Sequence, residues 1–95
     1  MVAYIVFTRE RLRDPEAFET YRQAAPPTLK DHPVARRVAY GRFEVLEGAE
    51  IEGMVILEFP TMEEAKTWYD GPAYQAARRH RFAAADYRAV IVEGV

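Results

Sequence analysis

Three stretches of this sequence are apolar on both sides of a strand, and only two helical stripes are available to cover them. Residues 2–8 are rich in β-branched and aromatic side chains. Residues 52–59 hold Met54-Val55-Ile56-Leu57-Glu58-Phe59, apolar on both faces except at Glu58. Residues 86–93 set Val90 and Val92 on one face, with Tyr87, Ala89 and Ile91 on the other. A sheet made from such strands must be covered twice, and helices on one side cover it once.

The boundary signals fix the order of the elements. After the first strand, Arg9 to Arg13 read as a charged connection. Asp14-Pro15 is a helix start, with Asp as N-cap and Pro at the first helical position. Ala17, Phe18, Tyr21, Ala24 and Ala25 form one helical stripe. Pro26-Pro27 ends or kinks that helix, because neither residue has an N–H to donate. A new turn begun at Pro26 would carry to about Lys30. Residues 36–46 alternate as a second strand, and the short Glu47–Glu50 turn predicts a hairpin to residues 52–59. Thr61 and Glu64 form a capping box ahead of Met62, Ala65, Trp68 and Tyr69. Gly71-Pro72 breaks that helix, and residues 73–82 carry Tyr74, Ala77 and Arg81 at helical spacing. The resulting order, β-α-β-β-α-β, predicts an α+β, ferredoxin-like fold with a four-stranded antiparallel sheet and helices on one face. No composition shift or repeat divides residues 1–95, which read as one domain.

Such a sheet is roughly 20 Å on a side, or about 400 Å² per face. That is already as large as the biggest apolar patch of an ordinary monomer, about 300–600 Å². The expectation is a homodimer with two sheets packed face to face. The alternative is a half-polar outer face, with Arg42 and Glu44 turned to water.

Composition narrows the chemistry. The 95 residues carry 13 basic and 15 acidic side chains, a net charge of −2, which gives no electrostatic footprint for nucleic acid or an anionic membrane. No apolar run approaches the roughly 18 residues of a membrane span. Residues 1–7 lack a basic leader and a small-residue cleavage pattern, so a cytoplasmic location is expected. Cysteine and serine are both absent, which removes disulfides, thiolate metal sites and nucleophilic Ser or Cys catalysis. No Gly-rich phosphate loop is present. Two histidines at unhelpful spacing predict no metal site, and no cofactor is expected.

A few side chains can carry chemistry. Glu58 is a lone carboxylate in an apolar strand; desolvation there would raise its pKa and suit it to general-base work. The structural alternative is an ion pair with an arginine such as Arg81, or a place near the exposed strand end. Arg81 shares a helix face with Tyr74 and Ala77, where a fixed guanidinium can clamp a carboxylate or form a structural salt bridge. His32 lies in the loop after the first helix, as a proton shuttle or a solvated loop residue. His80, among Arg78, Arg79 and Arg81, reads as a surface residue.

Tyr4, Asp14-Pro15, Tyr21, Glu44-Val45-Leu46-Glu47-Gly48, Glu58-Phe59-Pro60, Ala65, Trp68-Tyr69, Pro72, Tyr74-Gln75, Arg81 and Glu93-Gly94 together resemble the domain-of-unknown-function family 1330. The resemblance covers nearly the whole chain and is most specific from Glu58 to Arg81. It implies a dimeric α+β barrel, a superfamily whose related families include cofactor-free monooxygenases, lactone isomerases and heme-degrading proteins. Two departures bear on the pocket: Pro33-Val34-Ala35 stands where the family has a Gly-Gly pair, and Gly71 where it often has Ser.

Tyr21, Trp68, Tyr69 and Tyr74 read as core aromatics or as the walls of a pocket between sheet and helices. The expectation is therefore a homodimer binding a small organic molecule in that cleft. Tyr21, Trp68, Tyr74 and Arg81 are its candidate ligand contacts, and Glu58 and His32 its candidate catalytic groups. The alternative is a cofactor-independent monooxygenase or isomerase acting on a small aromatic or lactone-like acid. A purely structural module is the third reading.

Overall fold

Local signals set the ends of the helices. In the computed structural model, which describes residues 1–95, the Asp14 carboxylate accepts from the backbone N–H groups of Glu16 and Ala17, and helix α1 runs Pro15–Ala24. Pro26 then starts a separate 3₁₀ turn, Pro26–Leu29. The Thr61 hydroxyl accepts from the Glu64 N–H at 3.1 Å and opens helix α2, Met62–Asp70. Gly71 closes α2 and caps helix α3, Pro72–Ala84, with Pro72 in its first turn.

Four antiparallel strands complete the chain: β1 (Ala3–Leu12), β2 (Ala35–Ala39), β3 (Gly53–Phe59) and β4 (Ala85–Glu93). Their order across the sheet is β2-β3-β1-β4, the ferredoxin-like arrangement. Ala3 pairs with Phe59 and Glu93, so β1 is central and both of its edges are hydrogen-bonded to neighbours.

Two strand boundaries differ from the pattern-based expectation. β1 continues through the charged residues Arg9–Leu12, which pair with β4 past a bulge between Arg9 and Arg11. The charge is accommodated because Arg9 lies 3.3 Å from Glu52 and over the rings of Phe18 and Tyr40. The second strand, expected over 36–46 with a short hairpin turn, stops at Ala39. Tyr40 takes a left-handed backbone, φ 56°, and its N–H still donates to the Met54 carbonyl at 2.8 Å. Its ring covers Gly53 so closely that a Cβ there would stand 2.5 Å from Tyr40 Cδ1. The chain then leaves the sheet, and no residue from 41 to 52 is in a strand. Arg42 and Glu44, on which a water-facing sheet surface would depend, therefore lie outside the sheet.

The helices cover one face. Ile5, Phe7, Leu57 and Phe59 point toward them and pack with Ala65, Trp68, Tyr74 and Ala77. Strand alternation places Tyr4, Val6, Val38, Met54, Ile56, Val90 and Val92 on the opposite face. No helix lies there, and Val90 and Val92 are 50% and 47% exposed. No helix of the chain is long and apolar enough to cross a membrane.

Trp68 is the hinge of the core. It stacks on Phe59 at 5.8 Å and on Tyr74 at 4.1 Å, and its Nε1 donates to the Thr28 hydroxyl at 3.0 Å. Trp68→Ala is expected to cost about 3–5 kcal/mol in urea unfolding, as for other large core aromatics. Thr28→Val, which removes the hydroxyl that accepts from Trp68 and donates to the Ala25 carbonyl at 2.6 Å, should cost about 1–2 kcal/mol. Equal effects of the two would show that the hydrogen bond, and not the packing, holds the indole.

Candidate functional site

Helix α1 presents Phe18, Tyr21 and Ala25 toward the sheet because they recur at helical spacing. The sheet answers with Phe7 of β1, Val55 and Leu57 of β3, and Tyr87 of β4. Between these layers lies a cavity of about 290 Å³, lined inside by the buried Trp68 and toward solvent by the exposed Arg36, Ala39 and Tyr40. Ring-bearing walls dominate it: Phe7, Phe18, Tyr21, Tyr40, Trp68 and Tyr87.

The polar groups of the cavity are neutral hydroxyls and arginines. The Tyr21 and Tyr74 hydroxyls are 2.6 Å apart, and those of Tyr40 and Tyr87 also hydrogen-bond to each other. Burial pushes Tyr21 far above the usual phenol range, and the neighbouring Tyr74 adds to the shift. Burial does the same to Tyr87, helped by its bond to Tyr40. Tyr74 is also raised by burial, against the opposing pull of the Arg81 charge. These phenols therefore serve as hydrogen-bond donors and acceptors near neutral pH, not as bases.

No aspartate, glutamate or histidine lines the cavity. Arg22, at the mouth, is held by Glu19 through two hydrogen bonds of 3.0 Å. Arg36 has no ion-pair partner within the chain. Arg9 sits behind the Phe18 and Tyr40 rings at 4.8 and 5.3 Å. Its Nε makes no hydrogen bond, although Glu52 Oε1, which accepts from the Leu12 N–H at 2.7 Å, stands 3.3 Å away.

The candidate residues separate into groups. Tyr21 and Trp68 line the cavity. Tyr74 stands behind them, in contact with both. Arg81 is buried next to the same aromatics, over Phe7 at 5.2 Å and Tyr87 at 5.0 Å, but it opens on a different concavity. His32 follows the 3₁₀ turn, with its N–H bonded to the Leu29 carbonyl at 3.1 Å, outside the cavity lining. No cluster of three or more His, Asp or Glu side chains is placed to hold a metal.

Glu58 requires a correction. It lies on the face opposite the helices and pairs with Arg37, through bonds of 3.1 and 3.3 Å, rather than with Arg81. Those bonds hold its carboxyl below the usual carboxylate range, against a smaller opposing push from desolvation. The raised pKa expected for a desolvated strand carboxylate does not arise. The reason is the bulge between Arg36 and Val38, in the stretch of β2 that carries Arg37 alongside Glu58.

Arg9, Tyr40 and Tyr87 were not among the candidates. Arg9 extends the alternation of Ile5 and Phe7 and was legible as a same-face residue; its charge disguised the strand. Tyr87 shows in the alternation of β4. Nothing in the local pattern marks the left-handed turn at Tyr40.

The family model for the domain of unknown function DUF1330 matches residues 2–95. The chain belongs to that family. No protein with a curated description matches it. Among solved structures, a DUF1330-like backbone recurs in a protein of unknown function from Rhodopseudomonas palustris. That protein is 23% identical, with a TM-score of 0.74 over 99% of this chain and 82% of the other. A dimeric ferredoxin-like protein of unknown function from Jannaschia sp. CCS1 is 16% identical, with a TM-score of 0.71 over 99% and 100% of the two chains. A dimeric protein of unknown function with a ferredoxin-like fold from Bacteroides fragilis is also 16% identical, with a TM-score of 0.67 over 98% and 96%. These likenesses establish the fold of the DUF1330 chain.

The buried phenols make a stability prediction with a definite sign. Each has a folded pKa above its unfolded value of about 10, so its stabilisation is complete below that pH. It is lost progressively as pH rises above about 10, because only the unfolded chain releases those protons there. Between pH 8 and pH 12, a range of about four units around the free phenol value, the share of phenolate absorbance that belongs to Tyr21, Tyr74 and Tyr87 should appear only together with loss of the helical circular dichroism. Ionisation of all tyrosines before any unfolding would contradict the burial of Tyr21, Tyr74 and Tyr87.

Proposed function

We propose that this protein is a homodimer that binds a small organic molecule in the aromatic cavity between sheet and helices. The observation that carries the reading is the cavity itself. Its volume, about 290 Å³, is near the lower end of ligand sites and suits a molecule of one ring. Rings supply the walls, hydroxyl pairs supply orientation, and the arginines at the mouth favour a polar or anionic end.

The dimer rests on the uncovered sheet face, whose apolar residues need a second layer. The dimeric neighbours from Jannaschia and Bacteroides support it. Residues 41–46 support it as well. They keep the alternation of a strand, with Phe43 and Leu46 exposed, yet find no strand partner in their own chain. A second copy would supply one. In that assembly the Arg37–Glu58 pair lies in the contact between sheets.

The alternative, a cofactor-independent monooxygenase or isomerase acting on a small aromatic or lactone-like acid, needs a base beside the ligand. The lining offers neutral phenols and arginines, and Glu58 and His32 lie elsewhere. Binding is therefore the reading the geometry supports better.

The test uses phenol as a ring-sized neutral probe and Trp68, the only tryptophan, as reporter. Saturable change in Trp68 emission is expected. Ala25→Phe, at the cavity wall, should abolish it while the fold is retained, and Glu58→Gln and His32→Ala should leave it unchanged. Saturation that survives in Ala25→Phe would reject the cavity as the site.

A further inference from the structure

Arg81 is a buried cation without a counter-ion. It is 3% exposed. Its one side-chain hydrogen bond goes from Nη2 to the Tyr69 hydroxyl at 3.2 Å, and its Nε has no acceptor. The rings of Phe7, Phe82 and Tyr87 face the guanidinium at 5.0–5.2 Å. Cation–π contact offsets part of the cost of burial. It does not satisfy an N–H, and buried charges are as a rule paired with an opposite charge. The carboxylates that form ion pairs in this chain go to Arg9, Arg11, Arg13, Arg22 and Arg37, and none reaches Arg81.

Arg81 opens on a second concavity, a groove of about 440 Å³ beside β4, distinct from the aromatic cavity and sharing only Tyr87 with it. Tyr69, Phe82 and Tyr87 give the groove apolar walls. Arg13 and Asp86 stand in its lining. Asp86 is already engaged by Arg13 at 2.9 Å and lies 3.5 Å from Arg11. Positive charge therefore outweighs negative around the groove. The Nε and Nη2 edge of a guanidinium matches the two oxygens of a carboxylate, and ring walls suit the apolar body behind it.

We propose that this groove is a second binding site, for a small monocarboxylate, with Arg81 as the clamp and the ligand's carboxylate as its missing counter-charge. Phe82 and Tyr87 flank the body of the ligand, and the Tyr69 hydroxyl fixes the guanidinium by accepting from Nη2, which leaves Nε as the unpaired donor. The site is independent of the aromatic cavity and does not depend on its occupancy.

The test follows the arginine Nε–H signals of the ¹⁵N-labelled full chain as acetate replaces chloride at constant ionic strength. Arg81→Lys identifies the Arg81 signal by its loss. That signal is expected to move and saturate, and Arg81→Gln should weaken acetate binding by roughly tenfold or more, as for loss of a charge-assisted clamp. Arg36→Gln should leave the affinity unchanged. If Arg81→Gln fails to fold, the wild-type titration decides alone. A linear, unsaturating response would overturn the proposal, as would loss of binding in Arg36→Gln, which would move the anion to the aromatic cavity. A shift of the Arg81 signal on dilution, with none on acetate, would assign the counter-charge to a second copy of the chain and overturn it too.

Discussion

One sheet carries two apolar faces, and the chain has helices for one of them. Most of the molecule follows from that imbalance. The helix-covered face concentrates its large side chains, Phe7, Phe59, Trp68 and Tyr74, into a single aromatic stack. The other face is left with Val6, Ile56, Val90 and Val92 and has no layer of its own. The cavity also follows. Residues of α1 and the 3₁₀ turn line it on one side and residues of β1, β2, β3 and β4 on the other.

The polar groups have been distributed in a consistent way. Carboxylates are kept to the rim and to the outer face, where Arg37 and Glu58 pair with each other. The helix side holds phenols and guanidiniums. Raised phenol pKa values keep those tyrosines neutral, so the interior contains donors, acceptors and positive charge but no base. That composition is the ground on which recognition of polar or anionic organic molecules is proposed ahead of proton abstraction.

Much of the fold was legible because each element carries its own punctuation: Asp14-Pro15, Thr61 with Glu64, Gly71-Pro72. The element order followed from those boundary signals together with strand alternation, and the spacing within each helix put Tyr21, Trp68 and Tyr74 on apolar stripes. Three features were not legible. The Arg37–Glu58 pair depends on a bulge, which alternation cannot register. The end of β2 depends on a left-handed tyrosine whose ring needs Gly53 across the sheet, a long-range contact. The strand-like pattern of residues 41–46 was real but has no partner inside one chain. Arg81 was singled out with Glu58 as a possible partner, and Glu58 pairs instead with Arg37, because spacing along a helix says which face a residue shares and not which strand lies under it.

The central claim is that a second copy covers the bare face of the sheet. Sedimentation equilibrium at micromolar concentration tests it most directly, with wild type beside Ile56→Glu, a charge placed in the middle of that face. The account predicts a wild-type dimer and a folded Ile56→Glu monomer with unchanged helical circular dichroism. A wild-type monomer, or a dimer unaffected by that charge, would contradict it.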